Sequence, residues 1–279
     1  MNYLKYCILG LIQGLTEFLP VSSSGHLAIF KKLLGDATFG SLGLTYDILL
    51  HLATLIAVFV VFYKDVWELI CGFFGLIRDI FKGQLDLKKN IYQRFVVMII
   101  VASVPAALVG FALGDVIEEA FTKYLILVGI TLLLTGILLL VSDRIVVGNV
   151  DIENIKFKNA LIPGLFQAAA IVPGLSRSGS TITGALFAGC KREFAVKFSF
   201  LMSIPVVLGS ALVDIMHLAS GEGSALLVGP SIAGMIVAAI VGFLSIKFML
   251  KLIAKSKLHY FAYYCFGVGL FVIIWQIFR

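Results

Sequence analysis

The sequence predicts an all-α polytopic membrane protein. Three observations lead to this fold class: an apolar composition, long apolar segments, and two hydrophobic regions interrupted by polar residues. Of the 279 residues, 60% are hydrophobic and 14% are charged, and the mean hydropathy is +1.05. Soluble globular proteins contain about 25% charged residues. The apolar segments are too many and too long for a secretory signal, so we expect residue 1 to belong to the fold.

Six segments are long and apolar enough to be full membrane spans, which need about 20 mostly apolar residues. They cover residues 43–63, 92–113, 123–141, 194–217, 225–250 and 258–278. A further segment, residues 66–81, carries Glu68, Arg78 and Asp79. Because these charges do not suit the hydrocarbon core, we predict an interfacial helix there.

Two other hydrophobic regions, residues 3–34 and 158–191, are broken in the middle. Pro20 and a Ser-Ser-Ser-Gly run interrupt the first region, and Pro173 with a Ser-Arg-Ser-Gly run interrupts the second. Non-helical backbone at membrane depth is tolerated only where it is buried in protein or lines a wet cavity. The sequence therefore predicts two re-entrant helical hairpins whose breaks point at a cavity.

The two broken regions resemble each other, since GLIQ at residues 10–13 recurs as GLFQ at residues 164–167. We predict an inverted-topology repeat within one membrane domain. Residues 1–150 would hold the first hairpin and three spans, and residues 151–279 the second hairpin and three spans. Paired interruptions in two such copies point to a binding site near the bilayer midplane.

Charge and cysteine usage exclude several classes of function. The net charge of +6 comes from Lys and Arg residues gathered in short segments, at residues 78–94 and 247–257. Loops that obey the positive-inside bias explain this pattern better than nucleic-acid binding, so no nucleic-acid partner is predicted. The four cysteines stand singly in apolar surroundings without CxxC spacing, which predicts core residues rather than a disulfide framework or a zinc site.

The basic segments also predict the topology. With the loop at residues 64–94 in the cytoplasm, the N-terminus and the first hairpin lie on the outer side. The second hairpin then enters from the cytoplasm, and the basic residues at 247–257 fall on the cytoplasmic side as well.

The first break carries a candidate site in QGLTEFLPVSSSGHL, residues 13–27. Gln13 and Glu17 lie one helical turn apart on the same face. A carboxylate near the bilayer centre costs about 2.5 to 3.5 kcal/mol and usually faces a wet cavity, which makes Glu17 a functional candidate. The equivalent residue of the second copy is Ile171, so the acid belongs to the first copy only.

Both serine-rich runs are suited to restart a helix, with a serine as N-cap and unpaired N–H groups facing the break. Helix N-termini bind anions, and Arg177 in the second run adds a planar fork that matches phosphate oxygens. Two helix N-termini, an arginine and several hydroxyls facing each other describe a phosphate cradle.

The histidines differ in their surroundings. His26 is a candidate for chemistry because it follows Glu17 and the three serines, while His51, four residues after Asp47, is a weaker candidate. His217 and His259 are expected to be ordinary interior or interface residues. The acid, His26 and the serine nucleophile candidates lie in the first copy and the arginine in the second, a division that favours a phosphoryl-transfer enzyme over a symmetric carrier.

At these residues the chain resembles the undecaprenyl-diphosphate phosphatase family of bacterial membrane proteins, also known from bacitracin resistance. The resemblance covers essentially the whole chain. QGLTEFLPVSSSGHL is similar to the family's (Glu/Gln)-x-x-x-Glu segment with its Ser-Ser-x-Gly-His, and PGLSRSGST is similar to its Pro-Gly-x-Ser-Arg-Ser-Gly; FSFLMSIP at residues 198–205 is similar too. The resemblance implies hydrolysis of undecaprenyl diphosphate in the bacterial plasma membrane, which recycles the lipid carrier for cell-wall synthesis.

Transferred by motif, the resemblance implies that Glu17, Ser23, His26 and Arg177 are catalytic. The residues expected to line the substrate site are Gln13, Ser22, Ser24, Gly25, Ser176, Ser178, Gly179 and Thr181. The family requires a divalent cation, magnesium or calcium, and some members carry Glu where this chain has Gln13. We therefore expect Glu17 and Gln13 to hold the ion loosely, with ligands supplied by the diphosphate.

Alternatives stay open at the level of sequence. Either Ser23 attacks with His26 as base or His26 attacks directly, while Glu17 orients His26 or holds the cation. The second candidate function is a transporter or flippase of undecaprenyl phosphate or another lipid phosphate, suggested by the inverted repeat. Candidate partners are the polyprenyl diphosphate, the membrane lipids and a second copy of the chain.

Overall fold

The computed structural model describes residues 2–34, 43–217, 228–253 and 257–278, and the described residues form eleven α-helices. The helices are α1 (Asn2–Phe18), α2 (Ser23–Leu34), α3 (Gly43–Val61), α4 (Tyr63–Phe81), α5 (Ile91–Lys123), α6 (Leu125–Asp143), α7 (Phe157–Ala169), α8 (Arg177–Phe187), α9 (Arg192–His217), α10 (Val228–Ile253) and α11 (His259–Ile277). The predicted all-α class is confirmed. The side chain of His217 lies outside the described part of the chain.

Five of the described helices are long and apolar enough to cross a membrane. Their apolar stretches are Ile91–Ile117, Leu125–Asp143, Arg192–Val213, Val228–Ile253 and His259–Ile277. They confirm five of the six predicted segments. The first of them, in α5, runs a few residues past its predicted end at 113, because the apolar character continues across Gly114 and Val116.

The sixth candidate span is the bent pair formed by α3 and α4, which meet at an angle of 95°. The bend separates α4 from the direction of α3, and the interfacial position of residues 66–81 stays a prediction. Trp67, Phe74 and Phe81 of α4 are exposed and follow one another at seven-residue spacing. An apolar stripe of this kind suits the boundary between headgroups and acyl chains.

Both predicted interruptions are present, at residues 19–22 between α1 and α2 and at residues 170–176 between α7 and α8. Serines cap the helices that restart: the Ser22 hydroxyl accepts from Gly25 N at 3.3 Å, and the Ser176 hydroxyl accepts from Gly179 N at 3.1 Å. Each cap satisfies one of the N–H groups that a helix start leaves open.

The two breaks are in direct contact. Gly174 has a φ of +87°, and a Cβ there would lie 2.0 Å from Thr131 Oγ1 of α6, so the chain needs glycine for both its backbone conformation and its close approach. Gly174 N donates to Ser24 Oγ at 3.4 Å, and Ser178 Oγ donates to Leu19 O at 3.4 Å. The tips of the two hairpins therefore meet inside the protein.

The hairpins pack reciprocally on the other half of the chain. α1 lies against α10, where a Cβ on Gly10 would be 2.1 Å from Gly234 O, and α7 lies against α5, where a Cβ on Gly164 would be 2.5 Å from Ala102 O. α6 and α11 pack on each other. Two related copies of one unit would each pack their hairpin on the other copy in this way. The division of the chain at residue 150 stays a prediction.

Polar contacts bring two loops and the start of α11 to one end of the molecule. Arg94, at the start of α5, donates to the carbonyls of Ile152 and Glu153. The Asp143 carboxylate at the end of α6 accepts from His259 N at 2.9 Å and His259 Nδ1 at 2.7 Å. The loops at 82–90 and 144–156 and the start of α11 thus share one side, as the predicted topology requires.

The cysteines are free, and two of them, Cys190 and Cys265, are buried as expected for core residues. Cys71 is exposed, so its predicted core position is wrong: α4 buries Leu69, Gly72 and Leu76, which lie on one side of the helix, and Cys71 does not belong to that side. Cys190 pairs with Val150 in an isolated β-bridge, beside which the Lys191 ammonium donates to Asp151. This bond holds the pKa of the Asp151 carboxyl below its ordinary value.

Candidate active site

Glu17, in the last turn of α1, is the centre of the site. Its Oε2 accepts from Gln13 Nε2 at 3.0 Å and from Ser23 Oγ at 2.6 Å. Its Oε1 forms an ion pair with the guanidinium of Arg177. Since Glu17 is only 7% exposed, these partners replace the water that would otherwise solvate the carboxylate.

The site joins the two hairpins because Arg177 is the first residue of α8, immediately after the second break. α8 packs on α6, α7 and α9, and this packing directs the guanidinium toward the first hairpin. Arg177 is half-buried, and a cation at such a position in an apolar chain is stable only when it is paired. Of the four predicted catalytic residues, the structure thus brings Glu17, Ser23 and Arg177 together, with Gln13 beside them.

A small cavity adjoins this ion pair. It is lined by Glu17, Phe18, Arg177, Ser178, Ser199, Phe200 and Ser203. Ser199 and Ser203 lie one turn apart on α9 and were not predicted individually. Their spacing within FSFLMSIP was the signal that could have found them. Thr181, a predicted site residue, is 2.5 Å from Ser199 through their hydroxyl oxygens and so supports this wall.

His26 is buried but faces another group. Its Nδ1 lies 2.7 Å from Ser22 O, and its Nε2 lies 2.8 Å from the hydroxyl of Tyr264. Both ring nitrogens are therefore taken up by groups other than Ser23 and Glu17. A direct catalytic role for His26 stays a prediction.

Sequence reasoning missed Tyr264. It lies on α11, and no motif connects it with the first hairpin, from which it is separated by more than two hundred residues. Its ring stacks on that of His26, with centroids 5.6 Å apart and planes 9° apart. Only the packing of α11 beside the first break brings the two rings together.

His51 lies close to the Glu17 carboxylate, although its sequence context suggested only a pairing with Asp47. Its Nε2 is 3.6 Å from Glu17 Oε2. The predicted pairing with Asp47 runs through the backbone, because His51 Nδ1 donates to Asp47 O at 2.8 Å. The Asp47 carboxylate instead pairs with Lys31 at 2.5 Å.

The remaining predicted residues form the frame of the site. Ser22 and Ser176 are the helix caps, so the N–H groups of Gly25 and Gly179 are bonded to their own cap hydroxyls. Ser24 is exposed at the contact between the breaks, while Ser178 reaches the cavity wall. The hydroxyls and the guanidinium, rather than these two N–H groups, are the donors available for an anion.

The described residues offer few ligands for a cation. Within residues 2–34, 43–217, 228–253 and 257–278, no three His, Cys, Asp or Glu side chains gather as a set of metal ligands. Gln13 Oε1, however, is buried without a hydrogen-bond partner beside Glu17. One orphaned amide oxygen and one carboxylate fit a hard, oxygen-seeking ion whose remaining ligands come from elsewhere.

Comparison with known proteins identifies the family. Residues 6–271 match the profile of the family described as bacitracin resistance protein BacA. The chain belongs to the BacA family. Curated BacA relatives match over almost their full length, and those named here are called undecaprenyl-diphosphatase. They include proteins of Methanosphaera stadtmanae (42% identical over 278 residues, 98% of each chain) and Alkaliphilus metalliredigens (41% over 280 residues, 99% of this chain and 100% of the relative).

A further BacA relative from Halothermothrix orenii is 39% identical over 274 residues, 98% of each chain. The resemblance drawn from the two broken segments is thereby confirmed. The BacA relatives come from both bacteria and archaea.

Proposed function

We infer that the protein is a multi-pass membrane undecaprenyl-diphosphatase, which hydrolyses undecaprenyl diphosphate to undecaprenyl phosphate and inorganic phosphate. One observation carries this inference: a buried carboxylate, Glu17, is bonded at once to the hydroxyl of Ser23 and the guanidinium of Arg177, beside a cavity. A nucleophile, a base and a charge clamp are the parts that phosphoryl transfer needs.

The geometry supports Ser23 as the nucleophile with Glu17 as its base. Ser23 Oγ attacks the terminal phosphorus and passes its proton to Glu17 Oε2, 2.6 Å away. The bond between that phosphorus and the bridging oxygen breaks, and undecaprenyl phosphate leaves. Glu17 gives its proton to the leaving undecaprenyl phosphate. Water then attacks the phosphoserine and passes a proton to Glu17, which transfers it to Ser23 Oγ as phosphate leaves, so both residues return to their starting states. His26 as base or nucleophile is the alternative, and it requires the imidazole to leave Tyr264.

Arg177 supplies the positive charge that phosphoryl transfer requires. In the structure its guanidinium is paired with Glu17. When a diphosphate enters, its oxygens offer the planar fork a bidentate partner of the same kind. Exchange of the carboxylate for phosphate oxygens would both clamp the transferring group and free Glu17 to accept the proton.

The implied divalent cation, magnesium or calcium, would be held by Gln13 Oε1 and Glu17 together with the diphosphate. A bound cation of this kind neutralises negative charge on the phosphate oxygens. Because only one carboxylate is present, these residues would hold such an ion loosely.

The polyprenyl tail would stay in lipid between the spans while the terminal phosphate lies against Arg177 and Ser23. We place the protein in the plasma membrane of a bacterium, with the first hairpin opening to the outer side. Recycling of the lipid carrier there would support cell-wall synthesis and confer bacitracin resistance. A homodimer is the proposed assembly.

The test is phosphate release from undecaprenyl diphosphate by the purified protein, with and without a chelator. We expect release by the wild type, its reduction by the chelator, and its loss in Glu17→Ala and Arg177→Ala. Full activity in both variants would refute the proposal. Transbilayer movement of undecaprenyl phosphate without any phosphate release would instead favour the flippase.

A further inference from the structure

We propose that Tyr264 is a positioning residue: through His26 it holds the backbone of Ser22 in the conformation that aims Ser23 at Glu17. The proposal assigns His26 to the support of the nucleophile rather than to proton transfer. It rests on the proposed function insofar as Ser23 is the attacking group.

Ser22 is the residue that needs support. Its φ is +70°, and among the described residues no other non-glycine residue has a positive φ. Residues other than glycine rarely adopt this left-handed backbone conformation. They keep it only where contacts with the surrounding structure hold the backbone in place. In the second break the cap residue Ser176 has a φ of −62°, and the residue with a positive φ is Gly174, which carries no such strain.

His26 holds the Ser22 carbonyl with two hydrogen bonds. The backbone N–H of His26 donates to Ser22 O at 3.2 Å, and the ring Nδ1 lies 2.7 Å from the same oxygen. A carbonyl oxygen can only accept, so Nδ1 carries the ring proton. His26 is only 3% exposed, which disfavours a charged ring. The neutral imidazole then presents a lone pair at Nε2.

Tyr264 holds the imidazole in this orientation. With Nδ1 protonated, the Tyr264 hydroxyl is the donor in its 2.8 Å bond to His26 Nε2. The two rings are nearly parallel, with 9° between their planes. The neighbouring residue Cys265 lies against the same break, with its Sγ 3.9 Å from Pro20 O. α11 therefore supports the first break at two successive residues.

The backbone conformation of Ser22 affects the active site because Ser23 follows Ser22 directly in the chain. Rotation of the Ser22 backbone moves Ser23 Oγ, whose 2.6 Å bond to Glu17 depends on that position. A displacement of about 1 Å at a reacting group can lower the rate by about a hundredfold. Loss of the Tyr264 hydroxyl should thus lower turnover without removing any group that binds phosphate.

The first experiment compares Tyr264→Phe with Tyr263→Phe in phosphate release from undecaprenyl diphosphate. Each variant keeps the ring and loses one hydroxyl, but only Tyr264 bonds His26, while the Tyr263 ring lies against His259. We expect kcat of Tyr264→Phe to fall by about three- to tenfold, the worth of one hydrogen bond, with KM within about twofold. Tyr263→Phe should match the wild type. Equal kcat in all three proteins would overturn the proposal.

The second experiment is a double-mutant cycle with His26→Asn. An Asn amide can replace the Nδ1 donor to Ser22 but has no counterpart of Nε2. His26→Asn should therefore keep measurable turnover, His26→Ala should keep much less, and Tyr264→Phe should add nothing in the His26→Asn background. If His26 were the base or nucleophile, Asn and Ala would be equally inactive.

Thermal unfolding of the same proteins tests the contact independently of turnover. Tyr264→Phe should lower the Tm of the wild type but not that of His26→Asn. Additive effects on Tm would show that the two side chains are not coupled and would overturn the proposal even if the wild type released no phosphate. An inactive wild type with a coupled Tm would refute the phosphatase function and leave the positioning contact in place.

Discussion

At the scale of single residues, the site depends on one carboxylate with partners from three places in the chain. Glu17 binds Gln13 on its own helix, Ser23 after the first break, and Arg177 after the second. The buried ion pair is costly to form and more costly to break. Its members should therefore affect stability as well as turnover.

The first prediction concerns this ion pair. Glu17→Gln and Arg177→Met each leave one charge without its partner, and each should destabilise the protein by about 3–5 kcal/mol. The double variant removes both charges, so its Tm should lie above that of either single variant, while all three proteins should release no phosphate. A double variant less stable than both single variants would contradict the buried pair.

The second prediction concerns the cation. Gln13→Glu adds a carboxylate one turn before Glu17, where Gln13 Oε1 is buried without a partner. Oxygen-seeking divalent cations bind more tightly as the number of charged ligands rises, so half-maximal phosphate release should need less magnesium or calcium. Gln167→Glu, the equivalent change in the second copy, is the matched control and should leave the cation dependence unchanged.

At the scale of elements, close approach of helices positions the hairpins. α1 touches α10 where Gly10 meets Gly234, and a Cβ on Gly10 would lie 2.1 Å from Gly234 O. Backbone contacts of this kind replace the hydrophobic effect between helices in lipid, where van der Waals packing drives association. The position of Glu17 at the end of α1 follows from this contact.

The third prediction is a pair of alanine substitutions in helices. Gly10→Ala should destabilise the protein by about 1–3 kcal/mol, because α1 and α10 must separate to admit the methyl group. Gly267→Ala on α11 meets no atom within 4 Å, and its Tm should stay equal or rise, since alanine favours helices. Equal Tm values for both variants would show that α1 does not pack closely on α10.

The fourth prediction concerns the link between Asp151 and Lys191, which joins the loop before α7 to the loop after α8. The bond from Lys191 lowers the folded-state pKa of Asp151. The stability it contributes is thus present above the unfolded-state value of about 3.9 and is lost as pH falls through the folded-state pKa. The Tm difference between wild type and Asp151→Asn should shrink from pH 7 to pH 3. Glu119→Gln, an exposed carboxylate change on α5, is the control at each pH.

At the scale of the whole molecule, the contacts of Arg94 and Asp143 bring the basic loops to one end. The turn between α5 and α6, at Tyr124, lies at the opposite end of α5. The positive-inside bias then assigns the end with the basic loops to the cytoplasm.

The fifth prediction tests this orientation by thiol labelling of single cysteines in a background without the four native ones. A reagent that does not cross membranes should label Tyr124→Cys in intact cells. It should label Gln84→Cys and Val146→Cys, which are exposed at the other end, only after permeabilisation. Labelling of positions 84 and 146 in intact cells would invert the topology.

Much of the fold was predictable because its signals are local. Long apolar segments, the serine caps at Ser22 and Ser176 and the proline-containing breaks depend on neighbours within a few residues. They placed most helix ends to within a few residues and located both hairpins, whereas α5 runs to Lys123, well past its predicted end at 113. The turn between α3 and α4 was harder to predict, since no proline or glycine marks residue 62. Only the charges of α4 suggested that this helix differs in orientation from α3.

The sequence by itself determined the membrane class, the two breaks and the residues that carry charge at them, because hydropathy, helix caps and the cost of buried charges act locally. Only the tertiary structure decided which of these residues are partners. Ser23 bonds to Glu17, while His26 turns to Tyr264, more than two hundred residues away. Partner choice follows from how α11 and α8 pack beside the first hairpin, and the packing of distant helices leaves no short-range pattern in the chain.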